Sequence, residues 1–150
     1  MIASNIEEII ERDGQVLEMT YGISMQPMLR QGQNPVIISR VVSSPKKRDV
    51  ILFKDSTGKY ILHRIIKVTE DGFVTRGDNL FVTETVQNAE VVGILTGYYK
   101  GEKYIDCKTN FGYRVYSFST PLLFCLKKIK SKISPFVPKF LKRLYRKIFK

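Results

Sequence analysis

Asp49-Val50-Ile51-Leu52-Phe53-Lys54-Asp55-Ser56-Thr57-Gly58-Lys59-Tyr60-Ile61-Leu62-His63-Arg64-Ile65-Ile66-Lys67-Val68 holds two β-rich runs around one polar break. β-Branched and aromatic side chains favour a pleated, half-buried surface, and Asp55-Ser56-Thr57-Gly58 has the composition of a hairpin turn. The same pattern recurs outward from this hairpin. Runs at 16–21, 36–42, 73–76 and 91–100 are rich in Val, Ile, Phe and Tyr, and Gly, Pro or polar residues separate them. Glu70-Asp71-Gly72 reads as a second tight turn. Many short strands joined by tight turns predict a mainly β fold, a folded-over sheet or partial barrel. Ahead of it, Ser4-Asn5-Ile6-Glu7 reads as a capping box with Ser4 as N-cap. Ile6, Ile9 and Ile10 then share a face, and Gly14 supplies a stop, so a short helix is expected over 4–13.

The 150 residues are about one domain's worth, enough to bury a core without disulfides or metals. The charge is unevenly placed. Lys and Arg number 25 against 14 Asp and Glu, a net of +11. The last acidic residue is Asp106, and residues 121–150 hold ten basic residues and no acidic one. A nearly neutral domain over 1–120 therefore carries a basic tail over 121–150. Cys107 and Cys125 give no metal-ligand spacing and no disulfide framework. One histidine cannot build a histidine-rich metal site, and no cofactor is expected. Glu7, Glu8, Glu11 and Asp13 exclude a secretory signal at the N-terminus, and no run reaches 18 apolar residues, so no transmembrane helix is expected.

Three places have the chemistry of a hydrolase, which needs a positioned nucleophile, a base and oxyanion donors. Ser24 lies in Tyr21-Gly22-Ile23-Ser24-Met25-Gln26-Pro27, where Gly22 permits a tight turn and Pro27 stiffens it. His63 is the only histidine, and alternation puts it on one face with Ile61 and Ile65. Arg76-Gly77-Asp78-Asn79 ends the next strand, where an Asp can orient an imidazole. Taken singly, each reads more readily as ordinary structure: a turn serine, a half-buried histidine, an Asp-Asn turn.

Together these segments, in this order over roughly 16–98, resemble the signal peptidase I family. Ser24-Met25-Gln26-Pro27 matches the nucleophile box, and Arg48-Asp49-Val50-Ile51-Leu52-Phe53 is similar to the strand that follows it. His63-Arg64-Ile65-Ile66-Lys67-Val68 matches the general-base box, Gly77-Asp78-Asn79 the acidic box, and Val91-Val92-Gly93 the closing strand. A histidine rather than a lysine at the base position resembles the serine–histidine type of the endoplasmic reticulum and archaea. The resemblance implies Ser24 as nucleophile, His63 as general base, and the Ser24 backbone N–H as an oxyanion donor. It implies a substrate bound in extended form, with small side chains at the first and third positions before the cut. Either Asp78 or Glu84, six residues on, is implied as the group that orients His63. Two departures stand out. Arg48 replaces the family's usual glycine, and the chain lacks the usual N-terminal anchor, which points to leader or propeptides in the cytoplasm.

In the tail, Leu122, Leu126, Ile129 and Ile133 share a helical face. Pro121 is expected to open this segment, and Pro135 and Pro138 to divide it. Beyond them Val137, Phe140, Leu141, Leu144, Tyr145 and Ile148 line one face, opposite Lys139, Lys142, Arg143, Arg146, Lys147 and Lys150. Such a helix suits an anionic membrane surface, which would hold the protein peripherally at the inner face of the membrane. Packing on the domain or on a partner protein is the second reading. Nucleic acid is the third, because a phosphate-binding helix requires no apolar face. The expected function is a serine endopeptidase. The competing class is a non-catalytic peptide-binding or membrane-surface adaptor on a peptidase-like fold.

Overall fold

Gly14 turns the chain out of its first helix. In the computed structural model, which describes residues 6–133, helix α1 (Ile6–Asp13) ends with Gly14 at φ 78°, its N–H donating to the Ile10 carbonyl. That left-handed conformation is one glycine adopts at little cost. Eight antiparallel strands follow: β1 (Gln15–Met19), β2 (Pro35–Ser39), β3 (Val50–Lys54), β4 (Tyr60–Val68), β5 (Gly72–Arg76), β6 (Glu84–Gln87), β7 (Val91–Lys100) and β8 (Lys103–Asp106). They form one open sheet in the order β1-β2-β7-β3-β4-β5-β6, with β8 on β7. The β3–β4 hairpin pairs Ile51 with His63 and Leu52 with Leu62, and the Asp55 carboxylate accepts the Thr57 and Lys59 N–H groups in its turn.

Both faces of the sheet's centre are buried. On one face Val50 and Leu52 join Ile10, Val16, Val36 and Ile38. On the other, Ile51 and Phe53 join Ile65, Phe73 and Val86. Strand β3 is accordingly apolar at four successive positions, the pattern of a strand covered on both sides. Neighbouring β4 sends His63 and Ile65 to the second face and Arg64 to the first.

The final helix, α2 (Phe111–Ile133), begins ten residues before the expected opening at Pro121. Asn110 caps it, its side-chain oxygen accepting the Tyr113 N–H at 2.9 Å. Tyr113 and Ser117 are then buried, which anchors the first two turns. Pro121 lies inside the helix; it removes one backbone donor without ending the run. The strands β6 and β8 were not apparent from the sequence because each is four residues long and buries a single apolar side chain, Val86 or Ile105. Ser4 and the tail beyond Ile133, with its second expected helical segment, lie outside the described residues. The chain divides into two compact units, one ending at Phe118 and one beginning at Ser119. No helix among the described residues is long and apolar enough to cross a membrane.

Candidate active site

Ser24 sits in the bend after β1. Gly22, at φ 97°, starts the bend, the Gln26 N–H bonds the Ile23 carbonyl at 3.2 Å, and buried Met25, Met28 and Leu29 pin it to the core. A second clamp comes from the loop after β5. The Asn79 N–H donates to the Ser24 carbonyl at 2.7 Å, and the Asn79 side-chain amide donates to the Ile23 carbonyl at 3.1 Å. Two backbone stretches far apart in sequence are thereby held in register around the hydroxyl.

Gly77 lies where they meet. A Cβ at Gly77 would stand 2.7 Å from the Ser24 carbonyl oxygen, 3.0 Å from Ser24 Cβ and 3.1 Å from His63 Nε2. The serine and the imidazole thus converge on one small volume that only glycine leaves open. His63 is 4% exposed and meets the edge of Phe53, ring centroids 6.1 Å apart. Its other nitrogen, Nδ1, lies 2.7 Å from Glu84 Oε2. An ionised carboxylate can only accept, so Nδ1 donates to Glu84, and in the neutral imidazole the lone pair is on Nε2, on the Ser24 side.

Glu84 is therefore the carboxylate that orients the imidazole. Asp78, the other candidate from the sequence, is turned to the opposite face. It takes Arg64 in a two-point grip, Nε to Oδ1 at 2.8 Å and Nη2 to Oδ2 at 2.7 Å, and accepts the Tyr116 hydroxyl at 3.0 Å. Arg64 is fully enclosed; it also donates to the Arg48 carbonyl at 2.9 Å and to Ser117 Oγ at 3.1 Å. Burial opposes the guanidinium's charge, but the hydrogen bonds and attraction of Asp78 outweigh it and raise the Arg64 pKa. Burial, then the Asp78 carboxylate, raises the Tyr116 pKa, so its hydroxyl stays a donor. Arg48 adopts φ 83°, the left-handed region that favours glycine, and this conformation accompanies the aim of its carbonyl at Arg64.

A cleft of about 680 Å³ opens beside Ser24 and His63. Met19, Leu29, Ile38 and Leu52 are among the apolar residues that line it, and Glu18 and Lys59 add charge. Among the described residues no cluster of His, Cys, Asp or Glu could hold a metal ion. Three contributors escaped the sequence reading: the Asn79 clamp, the close approach at Gly77, and the Arg64–Asp78 pair. Gly77 and Asn79 stood in the acidic box, but their contacts with Ser24 join residues more than fifty positions apart.

No protein-family model matches the chain, and no curated protein matches it.

Proposed function

We propose that this chain is a serine endopeptidase of the signal peptidase type that removes a leader or propeptide, with Ser24 as nucleophile and His63 as general base. One observation carries the reading. Ser24 Cβ and His63 Nε2 both lie about 3 Å from the same point beside Gly77, while Glu84 engages His63 Nδ1. A nucleophile, a base and an orienting carboxylate are the parts that acyl transfer requires.

In this mechanism the substrate lies extended in the cleft. Strand β1, which ends the sheet among the described residues and leads into the Ser24 bend, offers backbone groups to pair with it. Ser24 Oγ attacks the scissile carbonyl carbon as His63 Nε2 takes the hydroxyl proton. Glu84 stabilises the imidazolium that results. The oxyanion is met by the Ser24 backbone N–H. Collapse of the intermediate breaks the C–N bond, and His63 returns the proton to the leaving amine. Water then attacks the acyl-serine with His63 again as base, which releases the acid product and restores Ser24.

The test is cleavage of a library of leader-like peptides, read by intact mass. The wild type is expected to cut at one position. Ser24→Ala and His63→Ala are expected to lose about a thousandfold or more in rate, as variants of such a unit do. Peptide binding without cleavage by the folded wild type would instead favour the non-catalytic binding module.

A further inference from the structure

One feature of α2 lies outside the peptidase machinery. Phe111, Val115, Phe118, Leu122, Leu126 and Ile129 recur at steps of three and four, which puts them on a single line along the helix. All six are exposed, from 51% at Val115 to 78% at Phe111. Within the first unit Tyr113 and Ser117 are the buried residues of those turns, and Phe111 and Val115 project away from them; Phe118 carries the Arg48 guanidinium over its ring and is still 60% exposed. A run of large apolar side chains on one helix face is more than scattered surface exposure.

We infer that this stripe is a docking surface for an anionic phospholipid bilayer. The charge of the chain selects this occupant. Lys127 and Lys128 accompany the stripe in α2, and the sequence over 121–150 holds ten basic residues and no acidic one. Apolar side chains enter the acyl boundary while the ammonium and guanidinium groups meet lipid phosphates, the arrangement of an interfacial helix. A second copy of the chain would bring like charge against like charge. Nucleic acid would use the basic residues but leave the apolar line in water. The inference stands apart from the peptidase reading, since it uses neither Ser24 nor His63.

The full chain is to be floated with vesicles of phosphatidylglycerol and phosphatidylcholine, and with vesicles of phosphatidylcholine alone. Partition onto the anionic vesicles is expected, weakened but not abolished by high salt, with little on the neutral ones. The double variant Leu122→Glu, Leu126→Glu is expected to lose about tenfold or more in vesicle affinity, because two apolar contacts become repelled charges. Phe111→Ser with Val115→Ser, changed separately, is expected to lose severalfold. Both variants change exposed positions and should keep the wild-type circular dichroism and thermal midpoint. The inference is overturned if the wild type ignores anionic vesicles, if it binds neutral ones equally, or if both variants bind as tightly as the wild type. A concentration-dependent dimer that the variants dissolve, with no vesicle partition, would also overturn it and assign the stripe to a second copy.

Discussion

At the scale of single residues, Gly77 has little freedom to change. Its backbone is not in the left-handed region; the demand for glycine comes from contact alone. The atom nearest to an added Cβ is the Ser24 carbonyl oxygen, a backbone atom that cannot rotate away. Gly77→Ala is therefore expected to push the Ser24 and His63 segments apart. Overpacking of this kind costs about 1–3 kcal/mol. Because the displaced atoms belong to the proposed nucleophile and base, peptide cleavage should fall further than the stability loss accounts for. A urea melt together with a cleavage rate at a temperature where the variant is folded would separate the two effects. Arg48 shows the reverse situation. The sequence has arginine where the family resemblance implies glycine, and the backbone still adopts φ 83° there. Its guanidinium lies 3.9 Å over the Phe118 ring, a contact glycine could not make.

At the scale of elements, legibility followed the length and regularity of each pattern. The strand expected over 60–68 is observed as Tyr60–Val68, and the run over 91–100 as Val91–Lys100. Both are long and carry dense β-branched and aromatic residues. The helix α2 was legible only in its second half. Its start depends on the Asn110 cap and on burial of Tyr113 and Ser117, which local periodicity does not reveal. Likewise Ser24, His63, Asp78 and Glu84 could be singled out as residues, but the choice between the two carboxylates needed the sheet. Glu84 stands on β6, directly opposite Thr75 of β5, whose other neighbour is Ile65 of β4. That register puts Glu84 on the His63 face. Asp78 instead ties β4 to α2 through Arg64 and Tyr116. Removing one partner of a buried ion pair strands the other charge, so Asp78→Asn should destabilise the protein by about 3 kcal/mol or more. Chemical unfolding checks this, and a melt unchanged from the wild type would show that the pair contributes little.

At the scale of the whole molecule, the titration of buried groups sets the alkaline limit. Burial pushes the Cys107 thiol up from an ordinary value of 9.0 to about 12. Burial likewise raises the Tyr113 and Tyr116 hydroxyls above their usual value of 10.0. For each group the folded pKa exceeds the unfolded one. Its contribution to stability is complete below the unfolded value and is lost as pH rises towards the folded value. Stability should therefore decline from about pH 9 upward, with the tyrosines steepening the fall above pH 10. Thermal midpoints across pH 7 to 11 would show it, and Cys107→Ala should flatten the first part of the slope. A midpoint that rose through this window would contradict the burial of these groups. The distribution of charge has a separate consequence. The acidic residues all lie at or before Asp106, so the balanced domain and the basic tail should respond differently to salt.

The central claim is that Ser24, His63 and Glu84 form one catalytic unit. The most direct measurement compares cleavage of one substrate peptide by the wild type, Ser24→Ala and Glu84→Gln, each shown to be folded. Ser24→Ala should be inactive. Glu84→Gln keeps the shape of the side chain but removes the charge that fixes the imidazole tautomer, and it should lose on the order of a hundredfold to ten-thousandfold in rate. Cleavage by Ser24→Ala at the wild-type rate would contradict the claim outright, and wild-type cleavage by Glu84→Gln would remove the carboxylate from it.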